Sequence, residues 1–185
     1  MDHLVRTLEE RRPRRVVDVG CGSGLQLAAM LEAAPGAEGV GVEVDPEAAA
    51  LAQRTLAERG LADRAEIVAA DVRADRVGPL AQPFDLALLA NVIYYVPMRD
   101  RVALLRDVAA LLAPGGALFL VTTVAAPQIF SRHFDLLLRA QEGEMELSDA
   151  DTLLTQLADA GLHPEPPRPL APGAPVVTVL ATRPD

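Results

Sequence analysis

Apolar positions along the chain fall into short continuous runs that alternate with stretches of helical spacing. Runs typical of buried strands lie at 15–19, 39–44, 65–70, 84–90, 117–123 and 176–181. Apolar residues at three- and four-residue steps predict helices at 24–34, 47–59, 97–113 and 148–161. Strands that alternate with helices in this way predict an α/β fold, a doubly wound and mostly parallel sheet with helices on both faces.

Glycine and proline residues mark the limits of these elements, and the 185 residues predict a single domain. Residues 1–14 predict a short helix followed by a linker. Ser148, with Asp151 three residues later, resembles a capping box and predicts the start of the last helix. Six prolines within 164–175 predict a loop or an irregular edge strand. The loosely patterned segment 125–147 predicts a lid or a recognition insertion.

Composition and charge argue against several classes of function. The chain has 17 basic and 26 acidic residues, and its net charge of −9 opposes the counterion release on which nucleic-acid binding depends. Cys21 is the single cysteine, so the chain cannot form an internal disulfide, and no Cys/His spacing predicts a metal site. No apolar run is long enough to span a bilayer and no signal-peptide pattern is present, so we expect a cytoplasmic protein.

The first predicted strand leads into a glycine turn with the pattern G-x-G-x-G, formed by Gly20, Gly22 and Gly24. Glycines let the backbone approach a ligand closely, and the helix that follows offers free N–H groups at its N-terminus. The turn therefore predicts a cradle for an anionic or nucleoside-bearing ligand. A dinucleotide motif would have a further glycine where this chain has Leu25, which disfavours NAD. Tight packing of strand against helix is the structural alternative.

Polar side chains stand at the carboxyl ends of successive predicted strands, where open α/β sheets bind their ligands. Asp18 lies in the first strand and Glu43 near the end of the second, and Asp71 and Asn91 follow the third and fourth. Buried acids need hydrogen-bond donors, which an ammonium, a ribose diol and an exocyclic amine would supply. Taken singly, each residue has an alternative role as a helix cap, an Asx-turn or a strand end.

Five motifs together resemble the class I S-adenosylmethionine-dependent methyltransferases, and the resemblance covers nearly the whole chain. The motifs are VDVGCGSG at 17–24, GVEVD at 41–45, ADV at 70–72, the segment 84–97 and LAPGG at 112–116. The family implies a Rossmann-like sheet of about seven strands with the last one antiparallel. It also implies S-adenosylmethionine as the cofactor, S-adenosylhomocysteine as the product and no metal.

The donor site implied by this resemblance has nine residues: Asp18, Gly20, Cys21, Gly22, Glu43, Val44, Asp71, Val72 and Asn91. The Asp18 carboxylate would support the ammonium of the donor. Backbone atoms of Gly20 and Cys21 would line the methionine part, so Cys21 is used for its backbone rather than for its thiol.

The same resemblance implies roles for the residues after the second, third and fourth strands. Glu43 would hold both ribose hydroxyls, and Val44 would lie against the adenine ring. Asp71 and the Val72 N–H would recognise the adenine edge. The region of Asn91 would close over the donor.

The reaction implied is direct displacement, in which a nucleophile of the acceptor attacks the sulfonium methyl group in line. Tyr94 is one catalytic candidate, because similar enzymes often carry His or a polar aromatic at this place, and packing is the more expected role for Tyr95. His133, with Asp135 nearby, is the second candidate for a general base. The acidic charge favours a small-molecule acceptor, as does the absence of prolines from 91–94, where nucleic-acid amine methyltransferases often carry them.

Other interpretations stay open. A donor-binding domain without catalysis is one, because residues of a donor site say nothing about an acceptor site. The chain could equally be the donor-binding part of a larger enzyme. Few residues precede the first strand, so a homodimer or a partner chain could supply a lid.

Overall fold

The computed structural model describes residues 2–73 and 78–185. Its α-helices are α1 Asp2–Arg11, α2 Leu25–Ala33, α3 Pro46–Glu58, α4 Arg101–Leu111, α5 Ile129–Arg139 and α6 Ala150–Asp159. Its strands are β1 Arg15–Val19, β2 Glu38–Glu43, β3 Ala65–Ala69, β4 Phe84–Ala90, β5 Leu112–Thr123, β6 His163–Pro164, β7 Arg168–Pro169 and β8 Val176–Thr182. Short 3-10 helices lie at Ala62–Arg64, Gly78–Ala81, Ile93–Tyr95 and Met98–Asp100.

The strands form one mixed sheet in the order β3-β2-β1-β4-β5-β8-β6, with β7 also paired to β8. β1 pairs in parallel with both β2 and β4, so the strand order reverses at β1 and β4. β8 runs antiparallel to β5 over seven residue pairs. The predicted fold, a doubly wound and mostly parallel Rossmann-like sheet with an antiparallel last strand, is confirmed.

The proline-rich segment 164–175 contributes little regular structure. Pro164 ends β6 and Pro169 ends β7, and each of these two-residue strands pairs with β8. Proline cannot donate a hydrogen bond to a neighbouring strand, so it confines the pairing to short edge pieces. The prediction of a loop or an irregular edge strand agrees with this geometry.

Successive residues of the central strands face opposite sides of the sheet and build two apolar layers. Val17 and Leu89 pack on one face with α4 and α6. Val16 and Leu88 pack on the other face with α1 and α2. Strands that are covered on both faces are continuous apolar runs in the sequence, which is why the predicted bounds of β1 and β4 agree with the structure.

The first turn of α6 differs from the prediction. Asp149 caps this helix, because its Oδ1 accepts a hydrogen bond from the Thr152 N–H at 2.7 Å. Ser148 is buried, and its Oγ accepts a hydrogen bond from Nη1 of Arg101 at 2.6 Å. The predicted capping box of Ser148 and Asp151 is therefore wrong, because the Ser148 hydroxyl is bound to Arg101 in the core.

Arg101, in the first turn of α4, is the largest fully buried side chain among the described residues, with 0% of its surface exposed. Its Nε donates to the Val96 carbonyl at 2.9 Å, and its Nη2 donates to the Glu146 carbonyl at 2.5 Å. With the Ser148 contact, these bonds tie the loop after β4 to the segment that precedes α6.

Candidate functional site

A cavity of about 460 Å³ opens at the carboxyl ends of β1 and β4, where the strand order reverses. We call it the switch-point cavity. Open α/β sheets bind ligands at this place, and sites for small molecules span about 300–1,000 Å³. Six of the nine predicted donor-site residues line the cavity: Gly20, Glu43, Val44, Asp71, Val72 and Asn91.

The glycine turn after β1 forms one wall of this cavity. Gly20 has a φ of 72°, and a Cβ at this position would lie 2.5 Å from Cγ2 of Val92, which is too close for any larger residue. The N–H groups of Gly20 and Cys21 both donate to the Val42 carbonyl, at 2.8 and 3.1 Å. Because these two N–H groups are already paired, a ligand at this wall would contact backbone atoms of the turn other than these two N–H groups.

Glu43 ends β2 with its carboxylate directed to the glycine turn. Oε2 accepts a hydrogen bond from the Gly22 N–H at 2.8 Å, and Oε1 accepts one from the Asp45 N–H at 3.1 Å. Each carboxylate oxygen keeps a free lone-pair site, so the fixed group can still accept hydrogen bonds from two hydroxyls. Gly22 does not line the cavity, and its N–H positions Glu43.

The far end of the cavity combines an apolar wall with an acid. Val44 is 67% exposed and lines the cavity, so a flat apolar group can pack on its side chain. Asp71 accepts hydrogen bonds from the Arg73 N–H at 2.9 Å and from Arg73 Nη2 at 2.5 Å. These bonds from Arg73 hold the pKa of Asp71 below its usual value. Val72 is buried in the wall beside them.

Asp18 lies in β1 beneath the glycine turn, is 1% exposed and does not line the cavity. Burial raises the pKa of Asp18 to about 7, the nearby Glu43 also raises it, and the Leu27 N–H in the first turn of α2 lowers it. Oδ2 has no hydrogen-bond partner among the described residues. Asp18 thus supports the start of α2, and its contact with the donor ammonium stays a prediction.

The pH dependence of stability should reveal this carboxyl. The pKa of Asp18 is about 7 in the folded chain and about 3.9 in the unfolded chain, so folding takes up a proton between these values. Its stabilising contribution is complete below about pH 4 and is lost as the pH rises towards about 7, by up to about 1.4 kcal/mol per pH unit. Urea unfolding at several pH values should therefore show that the free energy of unfolding of the wild type falls relative to that of Asp18→Asn as the pH rises from about 4 to about 7. Above about pH 7 the difference should level off. Parallel curves would contradict the assignment.

Cys21 has a structural setting that suits no reactive role. Burial, together with the nearby Asp18, raises the pKa of its thiol to about 12. Its Sγ would lie 2.7 Å from a Cβ added at Gly41, so the thiol fills the space that this glycine of β2 leaves open. The predicted use of the Cys21 backbone by the donor stays a prediction.

Asn91 follows β4 and adopts a φ of 59°, a left-handed conformation that asparagine tolerates better than most residues. Its N–H donates to the Val121 carbonyl at 2.8 Å, which fixes the chain at the end of the strand. The left-handed residue turns the backbone out of the sheet. The asparagine side chain therefore stands at the mouth of the cavity, where Asn91 is exposed.

The two tyrosines after Asn91 have the opposite positions from those expected. Tyr94 is buried against Leu138 and Leu147, and its ring meets Phe134 edge-on at 5.3 Å between centroids. Burial raises the pKa of its hydroxyl. Tyr95 is 50% exposed and lines the switch-point cavity. The tight 3-10 turn at this point decides which ring faces the cavity, and the sequence pattern does not show which one does.

His133 lies on the exposed side of α5 and does not line the switch-point cavity. It borders a separate surface groove with Arg132 and Leu136. Asp135 does not orient it, because this carboxylate accepts hydrogen bonds from Arg139 Nε at 2.7 Å and from the Leu147 N–H at 2.8 Å. The structure thus does not bring His133 together with the predicted donor-site residues.

Two other kinds of feature are missing from residues 2–73 and 78–185. No group of three or more His, Cys, Asp and Glu side chains is placed to hold a metal ion. None of the helices in these ranges has the length and apolar character needed to cross a membrane.

The groups around the switch-point cavity fit a nucleoside. The Glu43 carboxylate can accept from two hydroxyls, the Val44 side chain can cover a flat ring and Asp71 can accept from an amine. A reversing parallel sheet, a glycine turn after β1 and an acid at the end of β2 define a Rossmann-like nucleoside-binding domain.

The chain belongs to the methyltransferase domain family, because the family model matches residues 16–116, from β1 into β5. This range is more than half of the 185 residues. It includes the glycine turn, the acid at the end of β2 and the cavity walls. The resemblance to the class I S-adenosylmethionine-dependent methyltransferases is thereby confirmed.

Individual relatives extend the similarity. An O-methyltransferase of ubiquinone biosynthesis from Xanthomonas euvesicatoria pv. vesicatoria (strain 85-10) is 37% identical over 131 residues, which are 69% of this chain and 50% of the relative. A 6-O-methyltransferase of mitomycin biosynthesis from Streptomyces lavendulae is 32% identical over 169 residues, 90% of this chain and 46% of the relative. The solved structure of a mitomycin 7-O-methyltransferase has a TM-score of 0.82 at 27% identity, over 98% of this chain and 53% of that one. The chain thus spans about half the length of the relatives it matches.

Proposed function

We propose that this chain binds S-adenosylmethionine in the switch-point cavity and transfers its methyl group to a small-molecule acceptor, by O-, C- or N-methylation. The observation that carries the proposal is the arrangement of Glu43, Val44 and Asp71 around one cavity. Relatives named as O-methyltransferases of ubiquinone and mitomycin biosynthesis support the class of acceptor.

The residues of the cavity would bind and orient the donor. Glu43, held by the Gly22 N–H, would accept hydrogen bonds from the ribose hydroxyls. Val44 would pack on the adenine ring, and Asp71 would accept a hydrogen bond from the exocyclic amine. Bound S-adenosylmethionine supplies an electrophilic methyl group, so the contribution of the protein is alignment and exclusion of water.

The cover of the cavity would come from Tyr95 and from the segment 125–147. Tyr95 lines the cavity and has a hydroxyl that can meet a ligand. Within the segment, α5 exposes the apolar side chains of Ile129, Phe130 and Leu136. An apolar cover would keep water from the methyl group, and a partner subunit could complete it.

A donor-binding domain without catalysis is the second candidate. The chain spans about half of the relatives, and their remaining residues could hold the acceptor. In that case the chain would be the donor-binding part of a larger enzyme. Donor binding alone does not separate the two candidates.

Transfer of labelled methyl groups to a panel of small-molecule acceptors separates them. The purified chain is incubated with labelled S-adenosylmethionine and each acceptor, with Glu43→Ala as the matched inactive control. We expect label in at least one acceptor, and a much lower signal for the variant. Binding of S-adenosylhomocysteine without transfer to any acceptor would reject catalysis and favour the donor-binding domain.

A further inference from the structure

Arg73 follows Asp71 by two residues and lies beside it at the wall of the switch-point cavity. Among the described residues that line this cavity, Arg73 is the one with a positive charge. A free cation at this place would repel the positive sulfonium of S-adenosylmethionine. The partner of the Arg73 guanidinium therefore matters for donor binding.

The Arg73 guanidinium forms a fork on the Asp71 carboxylate. Its Nε lies 2.9 Å from Oδ1 and 3.1 Å from Oδ2, and its Nη2 donates to Oδ2 at 2.5 Å. The backbone N–H of Arg73 donates to Oδ1 at 2.9 Å, which closes an Asx-turn. Both carboxylate oxygens are held by one residue, so the plane of the carboxylate is fixed.

The fork leaves Asp71 able to accept one more hydrogen bond. Three N–H groups of Arg73, namely the backbone N–H, Nε–H and Nη2–H, share a carboxylate that has about four lone-pair sites. The Asp71 side chain is 40% exposed and lines the cavity, so the remaining site is open to a ligand.

The pair also sets the chemistry that Asp71 offers to a base. The side-chain hydrogen bonds from Arg73 hold the pKa of Asp71 below its usual value. An ionised carboxylate has no proton to donate, so it only accepts hydrogen bonds. It can bind an amine on a purine ring, whereas a carbonyl oxygen at the same position would face its lone pairs without a proton between them.

The fold does not depend on this pair for its stability. The Arg73 side chain is 57% exposed, and exposed ion pairs contribute little to the free energy of unfolding. A substitution of Arg73 should therefore act on the ligand site and leave the chain folded.

We propose that Arg73 is a positioning residue for recognition of the base, and that the pair of Asp71 and Arg73 selects adenine over hypoxanthine. This assignment rests on the donor binding proposed above, in which Asp71 accepts a hydrogen bond from the exocyclic amine. Arg73 acts through Asp71, because it orients the carboxylate and leaves one lone-pair site for the amine.

Calorimetric titration with two ligands tests this role. S-Inosylhomocysteine has a carbonyl oxygen where S-adenosylhomocysteine has the exocyclic amine, and the two are otherwise alike. We expect the wild type to bind S-adenosylhomocysteine at least about tenfold more tightly. In Arg73→Ala the affinity for S-adenosylhomocysteine should fall about fivefold or more, while the affinity for S-inosylhomocysteine does not fall. A merely structural role would weaken both ligands equally.

Two further variants isolate the contribution of the fork. Arg73→Lys keeps the charge, but an ammonium is a point charge that cannot hold both oxygens in one plane. The ratio of the two affinities should therefore stay as low as in Arg73→Ala. Arg59→Ala is the matched control and should behave as the wild type, because exposed Arg59 pairs with Glu32 at 2.9 Å and does not line the cavity. The ligand-free melting temperature should be close to that of the wild type in every variant.

The outcomes separate this inference from the proposed function. The role of Arg73 would be overturned, with donor binding intact, if the wild type showed no preference between the two ligands or if Arg73→Lys restored the full ratio. It would also be overturned if Arg73→Ala lost equal affinity for both ligands or bound S-adenosylhomocysteine more tightly. Failure of the wild type to bind S-adenosylhomocysteine would overturn the proposed function itself.

Discussion

Replacement of Glu43 by alanine is expected to weaken the binding of S-adenosylhomocysteine by about tenfold to a hundredfold. The carboxylate is held by the Gly22 and Asp45 N–H groups, so its oxygens are fixed before a ligand arrives. Each hydrogen bond from a ribose hydroxyl to a charged group contributes about 1.5–3 kcal/mol. Isothermal titration with S-adenosylhomocysteine measures the loss directly.

Glu38→Ala is the matched control for this experiment. Glu38 begins the same strand at its opposite end, and its exposed carboxylate lies 3.6 Å from Arg15. We expect donor affinity close to that of the wild type, since an exposed ion pair far from the cavity contributes little. An equal loss of affinity in both variants, or none in Glu43→Ala, would show that the ribose contact is misplaced.

Replacement of Arg101 by alanine should have the largest effect on stability. The substitution leaves the Val96 and Glu146 carbonyls and the Ser148 hydroxyl without their buried donor and opens a cavity beneath the loop after β4. Unpaired buried polar groups and the lost packing together cost on the order of 3–5 kcal/mol. Urea unfolding followed by circular dichroism should report this decrease in the free energy of unfolding.

Arg99→Ala provides the comparison, because the Arg99 side chain is exposed and paired with Asp100 and Glu144 on the surface. Surface pairs of this kind contribute about 0–1 kcal/mol. A change of less than about 1 kcal/mol in Arg101→Ala as well would show that the buried guanidinium does not hold these two segments together.

The parallel part of the sheet could be predicted from the sequence because its strands are buried on both faces. β1 and β4 are mostly apolar, and their predicted bounds agree with the structure. The start of α6 could not be predicted in the same way. The residue that decides it, Arg101, is 47 positions from Ser148 in the sequence.

The gathering of most predicted donor-site residues around one cavity could also be predicted. Glu43 is the last residue of β2, and Asp71 follows the end of β3 by two residues. The carboxyl ends of parallel strands meet at one edge of a sheet, so both residues reach the same cavity. Side-chain direction in irregular segments was the part that could not be predicted. Tyr94 and Tyr95 are neighbours in a 3-10 turn, where a small rotation decides which ring is buried. Arg73 was missed, although it follows Asp71 by two positions.

The contact of His3 with Thr178 could not be predicted, because the two residues are far apart in sequence. His3 in α1 and Thr178 in β8 are 175 positions apart, yet Nδ1 of His3 lies 2.7 Å from Oγ1 of Thr178. A histidine on a short helix has no sequence pattern that separates it from a solvated one. The sequence predicts catalytic roles for Tyr94 and His133 alone, and neither residue lines the switch-point cavity.

The most direct test of the central claim is a calorimetric titration of the wild-type chain with S-adenosylhomocysteine and, separately, with NAD. A ligand that binds only the folded chain also raises its melting temperature, which gives a second readout on the same samples. We predict that S-adenosylhomocysteine binds with one site per chain and raises the melting temperature, while NAD does neither. Binding of NAD with no response to millimolar S-adenosylhomocysteine would contradict the account.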